Sequence, residues 1–428
     1  MLVQTSYQKI ASHEVHEGET IKAVVLLYSG GLDTSVMLKW IQDTYHAEVI
    51  ALTIDIGQQA DDLQAIQQKA LKLGAKKAIV LDCKDEFAEK YIATAIKANG
   101  SYQGDYHLST PIGRPLLAKK AVEIALSEGI KVIAHGATGK GNDQVRLEGS
   151  ILCEDPTMKI IAPVREWSMG RDEELAYAAK NGIETSQAKL SVSYSWDDNM
   201  WGVTGEGAEI EDPKLEPNLD KILQVTTLPE NAPNQPEYIE LEFQEGVPIA
   251  INGKKMKLSK LIVATNKLVG KHGVGYTILI EDRLVGLKVR GVYESPAAHV
   301  ITQAHYNLEK LVSTQTENEM KEMIDSKWAY LCYSAKWYEP TMQHLNAFIN
   351  SMNHKVTGIV RIKLYKGRSD VVSVKSPYSL FDADLATFNK NGKFNQNSSA
   401  GFIEIYSLAM KTAATIHNNN TSKESLNI

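Results

Sequence analysis

Two glycine-rich segments carry most of the chemistry in this chain. The first is Ser29-Gly30-Gly31-Leu32-Asp33-Thr34-Ser35. Gly30 and Gly31 remove the side chains that would hold an anion away from the backbone. Ser29, Thr34 and Ser35 add hydroxyl donors. Asp33 is the odd member: a carboxylate beside a phosphate repels it unless a cation lies between, which points to a Mg²⁺-loaded nucleotide. The second segment runs from His135 to Arg146 and places Gly136, Gly139 and Gly141 among Thr138, Lys140, Asn142 and Asp143. A helix cap would account for Asn142 or Asp143 alone. The segment offers far more polar function than a cap needs, and such clusters on loops read as ligand sites.

The elements around these segments must hold them at one edge of a sheet. Ala23-Val-Val-Leu-Leu27 is uncharged and reads as a strand buried on both faces. Val36-Met-Leu-Lys-Trp-Ile41 begins a helix that continues through Tyr45, so the first segment is a strand–loop–helix turn whose helix N-terminus offers unpaired N–H groups. Further strands are expected at Glu48–Ile56, Ala78–Leu81 and Ile130–Ala134. Helices are expected at Asp61–Leu73, stopped by Gly74, at Glu86–Ala98, and from Arg114-Pro115 to Gly129 with proline at the first turn. Repeated β-α-β units predict an α/β fold with a doubly wound parallel sheet. Ligands bind such sheets at the carboxyl ends of the strands, where both glycine segments and the Gly57-Gln58 turn lie.

Beyond about residue 185 the pattern changes. Ser191 to Glu211 is rich in Ser, Gly, Trp and acidic residues, and Pro213, Pro217, Pro229, Pro233 and Pro236 follow. Tyr238–Phe243 alternates as a strand, and Val247–Met256 contains the hairpin signal Asn252-Gly253. A helix ends at Gly270, two long helical stretches cover Pro296–Met323 and Trp328–Met352, and a second hairpin turns at Lys366-Gly367-Arg368. This predicts an α+β second domain. A short helix at Leu408–Ile416 has no domain of its own and is expected to dock on a neighbouring subunit, while the tail from Asn418 reads as disordered. The expected organisation is an N-terminal extension (1–22), a phosphate-loop domain (23–185), an α+β domain (186–381) and a C-terminal arm and tail (382–428).

Composition narrows the class. The chain has 428 residues, 43% hydrophobic and 23% charged, as in ordinary globular proteins. Its net charge of −6 argues against a surface that coats nucleic acid. No apolar stretch approaches the ~20 residues that span a bilayer, and the first twenty residues lack the character of a signal or transit peptide. A cytoplasmic location is the expectation. Cys83, Cys153 and Cys332 are widely spaced, without a C-x-x-C pair, so neither a disulfide framework nor a structural zinc site is expected.

The first segment lacks the Gly-Lys-Ser/Thr ending of the Walker loop and the G-x-G-x-x-G of dinucleotide binders. It resembles instead the PP-loop of the ATP pyrophosphatases, which cleave ATP between its α- and β-phosphates. Taken with His135–Arg146, Ser193–Asn199, Gly270–Gly275 and Glu281–Tyr293, the chain resembles the argininosuccinate synthase family from about Ala23 to about residue 415. The resemblance implies an ATP-dependent ligase of arginine biosynthesis that joins citrulline and aspartate through a citrullyl-adenylate and releases AMP and pyrophosphate. It implies ATP contacts from Leu27, Tyr28, Ser29, Gly30, Gly31, Leu32, Asp33, Thr34, Ser35, Ile54 and Gly136. Citrulline would meet Tyr106, Thr110, Asn142, Arg146, Ser195, Thr204, Glu281 and Tyr293, and aspartate would meet Thr138, Asn142 and Asp143. Asp33, Asp143 and Arg146 are expected to carry catalysis, with ATP arriving as its Mg²⁺ complex and no tightly bound cofactor or resident metal. A homotetramer is implied, with no nucleic acid or membrane partner.

Two departures bear on substrate binding. Pro111 stands where many members have a serine that contacts citrulline, and proline has neither hydroxyl nor N–H to offer. That contact is expected to be lost or moved to Thr110. Thr204 replaces another serine and keeps the hydroxyl. The segment before Ala23 has no counterpart in typical members. The competing readings are another PP-loop adenylating enzyme, tRNA-modifying or amide-forming, and a non-catalytic ATP-binding module. The first would need reactive cysteines or a glutaminase domain, and the second has no use for a second polar cluster.

Overall fold

A strand that is apolar at every position needs cover on both faces, and β1 (Ala23–Leu27) receives it. In the computed structural model, Val24 and Leu26 pack on one side with Met37, Leu38 and Ile41 of the helix Leu32–Tyr45. Val25 packs on the other with Ile112, Leu116 and Ala121 of the helix Ser109–Ser127. The same alternation divides β2 (Glu48–Asp55) and β4 (Val132–Ala134) between the two cores. With β3 (Lys77–Asp82) and β5 (Lys159–Ile161) they form a five-stranded parallel sheet in the order β3-β2-β1-β4-β5. The expected doubly wound sheet is present. Because β2 and β4 flank β1, the strand order reverses there, and the loops after β1 and β4 border the crevice at the switch point.

The structure describes residue 15 and residues 19–59, 62–167, 169–183, 194–387 and 392–424. Most of the N-terminal extension, Ser193 of the Ser193–Asn199 motif, the expected boundary near residue 185 and the last four residues lie outside them. Val15 and Ile21, from the extension, join the core cluster of Val24 and Leu26.

The helix expected to open at Arg114-Pro115 starts earlier, at Ser109, behind Leu108 in a left-handed conformation (φ 59°). Pro111 sits in the first turn, where a missing N–H costs nothing, and Pro115 is then interior. The earlier start moves Arg114 from a helix boundary into the body of the helix.

The segment after residue 193 builds two antiparallel sheets. One has the order β11-β12-β7-β6, from β6 (Tyr194–Asn199), β7 (Gly202–Gly207), β11 (Tyr276–Asp282) and β12 (Lys288–Glu294). None of its strands was expected. The other has the order β10-β9-β8-β13-β14, from β8 (Glu237–Gln244), β9 (Val247–Ile251), β10 (Lys254–Lys255), β13 (Gly358–Tyr365) and β14 (Arg368–Lys375). Asn252 and Gly253 both take positive φ, as the two-residue hairpin turn requires. The two long helical stretches expected between these sheets are three helices: Pro296–Val312, Gln315–Tyr333 and Pro340–Asn353. The break falls at Ser313-Thr314 because Thr314 and Glu317 form a reciprocal capping box.

One core cluster runs from Val25 to Leu364 and includes side chains from the parallel sheet and from both later sheets or their helices. The described residues up to Tyr378 form one compact unit, and this cluster is shared across it. The residues after it, a second unit, hold the helices Ser398–Tyr406 and Leu408–Glu424. Asn418 to Glu424, expected to be disordered, lie within the second of these helices.

Candidate active site

The loop after β1 is shaped by its own hydroxyls. Gly30 takes φ +79°, and a Cβ there would fall 2.9 Å from the Ile66 side chain, so the turn requires glycine. Ser35 Oγ donates to the Gly31 carbonyl at 2.7 Å. With its one proton used there, it accepts from the Tyr28 phenol at 3.0 Å. The Ser29 and Thr34 hydroxyls lie 3.1 Å apart. The helix that follows has Gly31 as N-cap and no side-chain cap, which leaves its N-terminus available to an anion.

A cavity of ≈ 340 Å³ adjoins this loop. Leu27, Ser29, Gly31, Leu32, Asp33 and Thr34 line it from the first glycine segment, and His135, Gly136 and Ala137 from the second. Tyr28 and Ser35 are buried behind the loop and support it without lining the cavity. Gly30 is not in the wall either. Ile54, expected near a nucleotide base, is also absent from it: the residue is buried and its carbonyl already accepts from Gln58 Nε2 at 3.0 Å.

A second cavity, of ≈ 180 Å³, brings together every residue expected to meet an amino-acid substrate: Tyr106, Thr110, Thr138, Asn142, Asp143, Arg146, Ser195, Thr204, Glu281 and Tyr293. Gly141, Asp197, Glu206 and Arg283 complete its wall. Three local geometries produce it. Asp143 and Arg146 are three residues apart on the helix Asp143–Glu154 and share a face. The register Asp197–Thr204–Tyr293 across β6, β7 and β12 puts those side chains in one row, and Ser195 and Glu206 occupy the same face by alternation. The early start of the helix Ser109–Ser127 delivers Thr110, whose hydroxyl lies 3.2 Å from that of Thr204. Pro111 presents no polar hydrogen, and the threonine pair stands beside it.

Asn142 does not cap its helix through its side chain. Its Oδ1 accepts from the Leu284 N–H at 2.9 Å and its Nδ2 donates to the Tyr333 hydroxyl at 2.8 Å. Tyr333 also anchors Arg146, accepting from its Nε at the carbonyl (3.0 Å) while the guanidinium lies over its ring, 4.8 Å from the centroid. Tyr106 and Tyr293 pack ring to ring at 4.4 Å as an aromatic wall.

The charged groups form a linked set. Arg146 Nη1 donates to Asp143 Oδ1 at 2.8 Å, and Arg114 Nη2 donates to Asp143 Oδ2 at 2.7 Å and also pairs with Asp197. Burial opposes ionisation of Asp143, but the two guanidinium groups outweigh it and hold the carboxyl well below its usual range. Asp143 and Asp197 line both cavities, and Arg114, which bridges them, lines the first. On the other side, Arg283 Nη2 donates to Glu206 at 2.5 Å and its Nε lies 3.6 Å from Glu281. Glu281 Oε2 has no hydrogen-bond partner among the described residues, and burial raises the Glu281 carboxyl above its ordinary value despite Arg146 and Arg283.

That raised carboxyl gives the site a pH signature. Glu281 takes up its proton at a higher pH than an exposed glutamate, and protonation removes the charge it would offer to an ammonium group. If an amino-acid substrate places its ammonium there, its KM is expected to rise as pH falls, beginning above the ordinary glutamate range of about 4.3. Steady-state kinetics on Glu281→Gln should show a high KM with this inflection gone. An unchanged inflection in the variant would assign it to another group.

Arg114, Asp197, Glu206, Arg283 and Tyr333 are site residues that the sequence reading did not assign. Arg114 was masked by the misplaced helix start. Asp197 and Arg283 lie inside the segments Ser193–Asn199 and Glu281–Tyr293 that carry the family resemblance.

Comparison with known proteins matches two consecutive parts of the chain. Residues 23–184 match the arginosuccinate synthase N-terminal HUP domain, and residues 194–413 match the arginosuccinate synthase C-terminal domain. An argininosuccinate synthase of Caldanaerobacter subterraneus subsp. tengcongensis is 47% identical over 392 residues, covering 91% of this chain and 95% of that protein. One of Pyrococcus furiosus is 48% identical over 385 residues, 90% and 92% of the two chains. Among solved structures, a 4-thiouridine synthetase in complex with RNA and bound ATP aligns at 14% identity with a TM-score of 0.27, over 38% of this chain and 41% of that one.

Proposed function

The chain belongs to the argininosuccinate synthase family, and we infer that it uses ATP to condense citrulline with aspartate, releasing AMP and pyrophosphate. The observation that carries the residue-level reading is the Arg114–Asp143–Asp197 set, whose two carboxylates line both cavities. That shared wall supports a reading in which a nucleotide in one cavity meets an amino acid in the other.

In this reading the loop after β1 and Gly136 hold the phosphates of ATP. Asp33, an exposed carboxylate at the helix N-terminus beside that loop, suits a cation carried with them. Mg²⁺ bound there would neutralise charge on the departing pyrophosphate. Arg146 takes the citrulline carboxylate with its planar fork, and Glu281 takes the α-ammonium. Tyr106 and Tyr293 pack along the chain, and the Thr110–Thr204 hydroxyl pair replaces the serine that Pro111 displaces. The ureido oxygen is thereby directed at the α-phosphorus. It forms the new P–O bond as pyrophosphate leaves with the bond electrons, giving the citrullyl-adenylate. The aspartate amine, positioned by Thr138, Asn142 and Asp143, then adds to the ureido carbon, and AMP leaves with the oxygen. Asp143 is too acidic beside two guanidiniums to serve as a base, so its task is to orient the amine. No protein nucleophile is needed, and positioning with charge neutralisation supplies the catalysis.

We also place the enzyme in the cytoplasm as a homotetramer. Phe402, Ile403, Ile405 and Tyr406 on the helix Ser398–Tyr406 are 65%, 60%, 72% and 70% exposed, an apolar surface that suits burial against another copy. Among the described residues no helix is long and apolar enough to cross a membrane.

The test is pyrophosphate release with citrulline, aspartate or ATP omitted in turn. Release is expected to require ATP and citrulline, and argininosuccinate to require all three. Pyrophosphate release without citrulline would overturn the order of steps.

A further inference from the structure

The loop after β4 has a problem that its glycines create. Gly136, Gly139 and Gly141 let its backbone approach a ligand closely, but a glycine-rich backbone loses the most entropy on being held still. Side-chain hydrogen bonds hold both of its ends. At the first, the Ala137 N–H donates to His135 Nδ1 at 3.2 Å. A backbone N–H only donates, so Nδ1 carries the lone pair and Nε2 carries the proton. Nε2 then donates to Glu148 Oε1 at 3.1 Å. At the other end, Gln144 Nε2 donates to the carbonyls of Gly139 (2.6 Å) and Gly141 (3.2 Å).

Arg165 joins the two ends. Its Nη2 lies 2.7 Å from Glu148 Oε1, and its Nη1 donates to Gln144 Oε1 at 3.0 Å. The second bond orients the Gln144 amide so that its nitrogen faces the loop. The stem of Arg165 also runs under Gly139, where an added Cβ would meet its Cγ and Cδ at 3.9 Å. Burial would raise the Glu148 carboxyl, but His135 and Arg165 hold it lowered and charged. Of these side chains only His135 lines the cavity at the first loop.

We propose that Glu148 and Arg165 are positioning residues for ATP, acting through the His135 tautomer and the Gln144 amide to fix the loop from Gly136 to Gly141, of which Gly136 and Ala137 line the first cavity. The proposal rests on the reading of that cavity as the ATP site. It assigns a function to side chains that touch no substrate, and it ties the loop after β4 to the segment after β5.

Two near-isosteric variants separate positioning from mere support. His135→Asn keeps an amide oxygen near the place of Nδ1 and so keeps an acceptor for Ala137. His135→Gln puts its amide near the place of Nε2, keeps a partner for Glu148 and leaves the Ala137 N–H without one. Positioning predicts that the glutamine variant raises the KM for ATP roughly tenfold, the worth of one buried hydrogen bond, with the citrulline KM unchanged. The asparagine variant, which keeps the acceptor for Ala137 but loses the tether to Glu148, should raise the ATP KM by less, about threefold. Arg165→Lys, which cannot bridge Glu148 and Gln144 together, should raise the ATP KM in the same way while keeping the fold, and it serves if His135→Gln does not fold. Equal losses of thermal stability in both His135 variants with an unchanged ATP KM would overturn the proposal. Loss of ATP dependence in the wild-type enzyme would instead refute the assignment of the cavity.

Discussion

Asp143→Asn is expected to lower kcat/KM for aspartate by about 10³-fold, the scale of removing a preorganised electrostatic contact from a reaction centre, while the protein stays folded. Asp143 is the one carboxylate that receives bonds from both Arg114 and Arg146. An asparagine in its place would still accept one of them but would leave Arg146 without its anion. Arg114 would keep Asp197. The stability cost should therefore be roughly 3 kcal/mol, because the Arg146 guanidinium is only 5% exposed and loses its counter-charge at the Asp143 side chain. The side chain is 26% exposed, so solvent relieves part of it. Kinetics and thermal unfolding on one preparation distinguish the effects. A near-normal kcat/KM for aspartate would remove Asp143 from the amine site.

Asp33→Asn is expected to slow the first chemical step by about 10²- to 10³-fold, with a much smaller change in ATP affinity. The loop's hydroxyls and backbone, which bind the phosphates, are unaltered by the change. What is lost is the negative charge that would help hold a cation against the leaving pyrophosphate. Single-turnover release of pyrophosphate, compared with ATP binding measured without citrulline, reads the two quantities separately. A larger loss of affinity than of rate would make Asp33 a binding residue only.

The parallel sheet was legible because a strand buried on both faces is an unbroken apolar run, and Ala23–Leu27 and Val49–Leu52 are such runs. The sheet that carries Ser195, Thr204, Glu281 and Tyr293 was not. β6 reads Tyr-Ser-Trp-Asp-Asp-Asn and β7 reads Gly-Val-Thr-Gly-Glu-Gly, with polar and glycine residues where a half-buried strand would alternate. One face of that sheet is a cavity wall, so the pattern that would have revealed the strands has been replaced by the site. Those four residues were identified through motif resemblance, without any account of what held them. Arg114 shows the converse. Pro115 gave a plausible helix start, and a proline in the first turn at Pro111 was the better one. Tyr333, at the end of a helix far along the chain, carries no local signal. Its importance lies in bonds to Asn142 and Arg146 that only the folded arrangement creates.

The most direct test of the central claim follows one oxygen atom. Citrulline labelled with oxygen-18 in the ureido group is incubated with the enzyme, ATP and aspartate, and the AMP is analysed by mass spectrometry. Attack of the ureido oxygen on the α-phosphate predicts one label in each AMP formed and none in pyrophosphate. AMP without the label would mean that citrulline is not activated at that oxygen, and the assignment of the two cavities to adenylation would be wrong.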